Sequence, residues 1–140
     1  MLSARAGAIA QAESAAESDA TPGVEWIIDA YGCDAAALAD LSRIRTLFDR
    51  LIAELRLTPV SAPAWHTFPP PGGITGFVVL AESHLACHTF PEFASICVNV
   101  FCCRPRVGVD VTGVIADVFC ATHIQVRALE RSYRRPPEPA

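Results

Sequence analysis

The sequence predicts a two-layer α/β (α+β) sandwich, in which two helices cover one face of a largely antiparallel sheet. The first observation is size: 140 residues with 51% hydrophobic and 19% charged residues suffice for one domain with its own core. The second is the order of periodic segments, β-α-β-β-β-β-α-β. The third is that the four central segments are extended and follow one another closely, which is typical of antiparallel strands.

The predicted domain, residues 23–133, follows an N-terminal tail, residues 1–22, that is rich in Ala, Ser and Glu and has no apolar period. A strand is expected over Val24–Tyr31. Gly32 turns the chain, and Asp34 suits a helix N-cap. One long amphipathic helix is then expected, because apolar residues recur at helical spacing at Leu38, Leu41, Ile44, Leu47, Phe48, Leu51, Ile52 and Leu55.

The second half of the domain is expected to be mostly strands. Residues 58–68 contain two prolines and therefore predict an edge strand, which a Pro/Gly loop separates from the next segment. The other predicted strands are Ile74–Glu82, Ser83–Phe90, Phe93–Cys103 and His123–Glu130. Asp110 is expected to cap a second amphipathic helix, and the proline-rich Arg134–Ala140 is expected to be a loose tail.

Two of these strands, Ile74–Leu80 and Ile96–Cys103, carry apolar residues on both alternating faces. A strand that is apolar on both faces needs a cover on each. Two helices cover one face, so the other face is expected to meet a second sheet across a homodimer. The alternative is a sheet with one mildly apolar face left under-covered.

All 11 basic residues are arginine, and the chain has no lysine. A lysine-free chain cannot hold pyridoxal phosphate through the usual Schiff base or use a lysine amine as nucleophile. The net charge of −4 argues against nucleic acid as the main partner. No apolar run reaches about 18 residues, so no membrane-spanning helix is expected.

The six cysteines do not indicate disulfides, because no secretory signal is visible and a cytoplasmic location with free thiols is expected. No C-x-x-C occurs, so neither zinc nor another metal is expected. Four of the thiols are expected to be small packing residues: Cys33, Cys87, Cys97 and Cys120.

Reactive side chains concentrate in residues 81–92: a serine, two histidines, a cysteine and two glutamates. Spacing alone is a weak signal, since a buried strand serine and a core histidine give the same pattern. Alternation places Glu82, His84 and His88 on one strand face and Ser83, Leu85 and Cys87 on the other.

Residues 82–92, Glu-Ser-His-Leu-Ala-Cys-His-Thr-Phe-Pro-Glu, resemble the signature of the prokaryotic S-adenosylmethionine decarboxylases, which are pyruvoyl-dependent enzymes of spermidine synthesis. The resemblance extends from Val24 to Tyr133. It includes the opening Ile27–Asp34, the segment that starts at Gly73, and the strand end Val100–Cys103.

The resemblance implies that the chain cleaves itself between Glu82 and Ser83 into a beta chain, residues 1–82, and an alpha chain, residues 83–140. Ser83 would become a covalent pyruvoyl group, whose ketone forms a Schiff base with the substrate amine and accepts the electrons released with CO2. The implied product is decarboxylated S-adenosylmethionine, an aminopropyl donor. Such chemistry needs neither pyridoxal phosphate nor a metal.

Site roles follow from the resemblance residue by residue. His88 matches the general base of processing, and Cys103, in preference to its neighbour Cys102, matches the thiol that returns a proton to the product carbon. Thr75 stands where the family usually has a serine that assists processing, and His84 supports the motif. Candidates for contacting substrate are Phe68, Phe90 and Glu92.

Ser83 and His88 are an odd number of residues apart and so belong to opposite faces of a regular strand. The implied roles therefore need a distortion at the cleavage point or an approach across it. A homodimer with both sites near the interface is expected from the family. Two alternatives stay open: a pyruvoyl-dependent decarboxylase of another amino acid, such as ornithine or arginine, and a regulatory partner that never processes.

Overall fold

The computed structural model describes residues 22–104, 110–136 and 138–140. The expected N-terminal tail lies outside these residues except for its last position. Among the described residues, no helix is long and apolar enough to cross a membrane.

The two-layer prediction is confirmed: the sheet has six strands in the order β2-β3-β4-β5-β1-β6, and every neighbouring pair is antiparallel. The strands are β1 Gly23–Tyr31, β2 Ala64–Thr67, β3 Ile74–Leu80, β4 Ser83–Phe90, β5 Ser95–Cys102 and β6 His123–Arg131. The proline-containing segment supplies the edge strand β2, which is shorter than expected. Phe93 lies in a 3-10 turn, Pro91–Phe93, because the chain turns at Ala94 with a positive φ before β5 begins.

The prediction of one long helix after β1 is wrong, because this region holds two helices, α1 Ala35–Leu38 and α2 Leu41–Glu54. Asp40 adopts an extended conformation between them, and its carboxylate accepts hydrogen bonds from the Ser42 N–H (2.9 Å) and hydroxyl (2.7 Å). This side chain caps α2 and so ends one helix and begins another. The described residues thus hold three helices, with α3 at Val111–Phe119. Asp110 caps α3 as expected.

One face of the sheet and the helices enclose the core. The helices contribute the buried side chains Leu38, Ile44, Leu47, Phe48, Leu51, Val114, Ile115, Val118 and Phe119. The strands contribute Ile28, Ile74, Val78, Leu85, Cys87, Ile96, Val98, Val100 and Cys102 from alternate positions.

The opposite side of the sheet, the open face, carries the other alternate positions of β1 and β3–β6. On β3 it includes Phe77 and Val79, which are 42% and 44% exposed. The centre of the open face holds His84 of β4 with Phe101 and Asn99 of β5. β3 and β5 are therefore apolar on both faces, as the sequence predicted.

Candidate active site

The expected cleavage point lies at the turn between β3 and β4. Ser83 is the first residue of β4, where it pairs with Leu80 of β3 and with Cys102 of β5. Its φ of +152° is one that side-chain-bearing residues seldom adopt, so the backbone is strained at the peptide bond that joins Glu82 to Ser83. The roles implied for Ser83 and His88 require a distortion of this kind.

The carbonyl group of Glu82 is held from the neighbouring strand. Its oxygen accepts a hydrogen bond from the backbone N–H of Cys103 at 2.9 Å. A donor in this position stabilises negative charge on that oxygen if a nucleophile attacks the carbonyl carbon. The Cys103 thiol is only partly buried, whereas Cys102 is fully enclosed in the core.

The side chain of Glu82 is held by Thr58, a residue that sequence reasoning missed. The Thr58 N–H donates to Oε2 at 3.0 Å, and the Thr58 hydroxyl donates to Oε1 at 2.9 Å. Twenty-four positions separate these two residues in the chain. No local pattern in the sequence signals such a contact.

A second cluster lies near the other end of β3 and β4. Thr75 and His88 are directly opposite in the register, with 3.1 Å between the Thr75 Oγ1 and the His88 Nδ1. His88 is exposed on the open face. Phe68 lies just before the loop into β3, and its ring makes an edge contact with that of His66 at 4.6 Å between centroids.

The two clusters are separate within one protomer. Ser83 and His88 are five residues apart on β4, which corresponds to about 17 Å at the rise of an extended strand. Glu82, Ser83 and Cys103 define the cleavage end of the site. The histidine end comprises Thr75 and His88 together with Phe68, Phe90 and Glu92.

His84 lies between the two ends, in a polar network on the open face. Its Nε2 is 2.8 Å from Asn99 Oδ1, and the Asn99 amide donates to Glu25 at 2.8 Å. Glu25 also forms an ion pair with Arg131. The hydrogen bond from Asn99 and the nearby Arg131 hold the pKa of the Glu25 carboxyl below its usual value, against the opposing effect of partial burial. Sequence reasoning missed this network, in which Asn99 is a polar residue inside an otherwise apolar strand.

The cysteines differ in their surroundings. Cys33 and Cys87 are buried, and burial raises the pKa of the Cys87 thiol to about 12. The expectation of packing residues is wrong for Cys97 and Cys120, which are exposed. Cys97 lies on the open face opposite His88. No group of three or more His, Cys, Asp or Glu side chains suited to a metal ion occurs in the described parts of the chain.

The chain is similar to known proteins over most of its length. A family model described as S-adenosylmethionine decarboxylase matches residues 24–132. An S-adenosylmethionine decarboxylase proenzyme of Acetivibrio thermocellus is 36% identical over 109 residues, which cover 75% of this chain and 84% of the relative. An S-adenosylmethionine decarboxylase proenzyme 2 of Halalkalibacterium halodurans is 37% identical over 113 residues, covering 79% and 87%.

A solved structure shows the same fold. The crystal structure of the adenosylmethionine decarboxylase from Aquifex aeolicus superposes with a TM-score of 0.67 at 28% identity, covering 86% of this chain and 97% of that one. Residues 24–132, which the family model matches, include both ends of the site. The chain belongs to the S-adenosylmethionine decarboxylase family.

Proposed function

We propose that this protein is a proenzyme that cleaves itself between Glu82 and Ser83 and then decarboxylates S-adenosylmethionine, yielding the aminopropyl donor for spermidine synthesis. The observation that carries the proposal is the strained Ser83, preceded by a carbonyl that the Cys103 N–H already holds. Membership of the family supplies the reaction that this arrangement serves.

Self-cleavage uses the chain's own atoms. The Ser83 hydroxyl oxygen attacks the Glu82 carbonyl carbon, the C–N bond breaks, and an ester replaces the amide. A base removes the proton on the Ser83 Cα, and the bond between Cβ and the ester oxygen breaks to release the Glu82 carboxylate. Hydrolysis of the remaining enamine, with loss of ammonia, leaves a pyruvoyl group at residue 83. The Cys103 N–H stabilises the oxyanion that forms in the first step.

The residues present at the cleavage end fit a pyruvoyl group. Ser83 begins a strand that pairs with β3 on one side and with β5 on the other. The partly buried Cys103 comes directly after Cys102, the β5 residue that pairs with Ser83. When formed, the pyruvoyl carbonyl supplies an electrophile for the substrate amine and a sink for the electrons left by CO2. Cys103 donates the proton that the substrate carbon then needs, since a thiol can act as a general acid.

The separation of the two ends supports a homodimer of cleaved protomers. His88 is too far from Ser83 to remove its Cα proton within one protomer, because about 17 Å of strand lies between them. Packing two open faces together about a two-fold axis would carry the partner subunit's His88 toward the cleavage turn, where the strained backbone of Ser83 departs from the regular alternation of the strand. The exposed apolar side chains of the open face, Phe77 and Val79, suit such an interface.

The histidine end supplies the groups that suit the rest of the substrate. The exposed ring of Phe68 can stack on adenine or on the sulfonium, and the Glu92 carboxylate can accept the ribose hydroxyls. Phe68→Ala is therefore expected to raise KM and leave self-cleavage intact. Phe93→Ala, which removes another exposed ring, is the matched control and leaves both unchanged.

We also propose that the enzyme works in the cytoplasm, because its six cysteines are free thiols and three of them are buried in the core. A reducing compartment keeps thiols in that form.

The experiment that tests the proposed function is the intact mass of the purified protein, followed by CO2 release from labelled substrates. Two fragments are expected, breaking between residues 82 and 83, with the second lighter by one ammonia than a serine-started fragment. Ser83→Ala is expected to remain whole. Release of CO2 from ornithine or arginine, and none from S-adenosylmethionine, would show that the substrate is that other amino acid. A single stable chain of 140 residues would support a regulatory partner that does not process.

A further inference from the structure

The segment that leaves α2 runs directly beside the cleavage turn. The Thr58 carbonyl accepts the Ala81 N–H at 2.8 Å, and the Val60 N–H donates to the Val79 carbonyl at 3.1 Å. Between them, Pro59 forms an isolated bridge with Leu80. Together with the two hydrogen bonds to the Glu82 carboxylate, these contacts give Thr58 three bonds to residues 81 and 82.

Thr58 is itself held in place from the core. The preceding Leu57 is buried, and its N–H donates to the Ile52 carbonyl in α2 at 2.9 Å. The position of Thr58 is therefore set by the packing of α2 on the sheet. A side chain fixed in this way can orient the group that it binds.

Glu82 is thus held at two points on opposite sides. Its carboxylate is bound by Thr58, and its carbonyl oxygen by the N–H of Cys103. With both ends of the residue fixed, the peptide plane between Glu82 and Ser83 has little freedom to rotate. The orientation of that plane determines how the carbonyl carbon is presented to the Ser83 hydroxyl.

We propose that Thr58 is a positioning residue for self-cleavage: it holds the Glu82 carboxylate so that the Glu82 carbonyl carbon faces the Ser83 oxygen for ester formation. In that step the carbon–nitrogen bond breaks, the carbon–oxygen bond forms, and the hydroxyl proton passes to the freed amine. Thr58 contacts neither the attacking oxygen nor the substrate, and acts through Glu82. The inference rests on the proposed function.

The first test follows the full chain made by cell-free translation and measures the rate at which the 83–140 fragment appears. Thr58→Val keeps the shape and removes the hydroxyl, and it is expected to slow cleavage about tenfold, as loss of a hydrogen bond to a charged group does. Thr58→Ser restores the hydroxyl and is expected to cleave at the wild-type rate. Thr46→Val, which removes a surface hydroxyl from α2, is the matched control and leaves the rate unchanged.

A double-mutant cycle tests whether Thr58 acts through Glu82. Glu82→Ala removes the bound carboxylate, so Thr58→Val is expected to have no further effect in that background. An equal slowing in both backgrounds would overturn the inference. So would a Thr58→Ser chain that cleaves as slowly as Thr58→Val. Thermal unfolding of Thr58→Val in the uncleavable Ser83→Ala background, with an unchanged midpoint, shows that slow cleavage is not a folding defect.

Hydroxylamine identifies the step, because it cleaves esters rapidly and leaves amides intact. For Thr58→Val it is expected to leave cleavage slow, since the ester forms slowly. Rapid cleavage on adding hydroxylamine would mean that the ester forms normally, and would overturn the assigned role. A wild-type chain that stays whole would overturn both this inference and the proposed function, whereas normal cleavage of Thr58→Val overturns the inference alone.

Discussion

The Oγ1 of Thr75 lies 3.1 Å from the Nδ1 of His88, and both residues are about five strand positions away from Ser83. The hydroxyl and the imidazole therefore contact each other, but Ser83 of the same protomer is too far away for either group to reach. The pairing leaves Nε2 of His88 available for proton transfer. This relationship leads to the first two predictions.

Two inactive variants are expected to restore one working site when they share a dimer. Ser83→Ala and His88→Ala are each expected to stay uncleaved when expressed alone. Co-expressed with different tags, the His88→Ala chain is expected to be cleaved, because its intact Ser83 meets the His88 of a Ser83→Ala partner. Gel analysis that detects each tag separately shows which of the two chains is cleaved. A His88→Ala chain that stays whole in the mixture, or that is cleaved when expressed alone, contradicts the shared site.

The Thr75 hydroxyl is expected to orient the His88 ring. Thr75→Val keeps the shape but loses the hydrogen bond, and cleavage is expected to slow about tenfold. Thr75→Ser retains the bond and frees χ1 of the methyl restriction, so its rate equals or exceeds that of the wild type. Time courses of fragment formation measure both. If Thr75→Val cleaves itself as fast as the wild type, Thr75 has no role in processing.

Cys103 and Cys102 form a matched pair for the decarboxylation step. Cys103→Ala keeps the backbone N–H and so is expected to cleave itself, while CO2 release falls about 100-fold through loss of the proton donor. Cys102→Ala affects a side chain of 0% exposure in the core. It is expected to cost about 1 kcal/mol of stability and leave turnover unchanged. The reverse pattern would assign the proton donor to Cys102.

The raised pKa of the Cys87 thiol predicts that the folded protein loses stability in alkali. Because burial raises its pKa from 9.0 to about 12, the folded chain keeps a proton that the unfolded chain loses. Its contribution is complete below pH 9.0 and is lost as the pH rises toward 12. Cys87→Ala is expected to be less stable than wild type at neutral pH. Urea unfolding across this window should show the stability difference between the two proteins change in favour of Cys87→Ala by up to about 4 kcal/mol. If the free energies of unfolding of the two proteins differ by a constant amount across this pH range, the raised pKa of Cys87 is ruled out.

Local patterns predicted most of the fold. Alternation placed His84 and His88 on one face and Leu85 and Cys87 on the other, as the burial of β4 confirms. The helix caps at Asp34 and Asp110 were readable because capping depends on neighbouring residues. The break at Asp40 was missed because the apolar period continues across it, and periodicity does not register a cap inside a repeating pattern.

Contacts between distant segments were beyond sequence reasoning. The bonds from Thr58 to Glu82 and from Asn99 to Glu25 join residues 24 and 74 positions apart. They depend on which strands are neighbours, and a single sequence does not fix that order. The division of the site into two ends has the same origin, since it depends on the register of β3 against β4.

The sheet order also determines how the proposed self-cleavage would change the folding reaction. The first fragment holds β1, β2 and β3, the second holds β4, β5 and β6, and β1 is inserted between β5 and β6. The two fragments are therefore interleaved, and parting them means breaking three ladders. A proenzyme refolds as one chain, at a rate independent of concentration. The mature protein, once denatured, must find its other half, so its refolding becomes bimolecular and slows on dilution. Cleavage would thereby replace a fold that re-forms readily from one chain with a fold that re-forms only when two fragments meet.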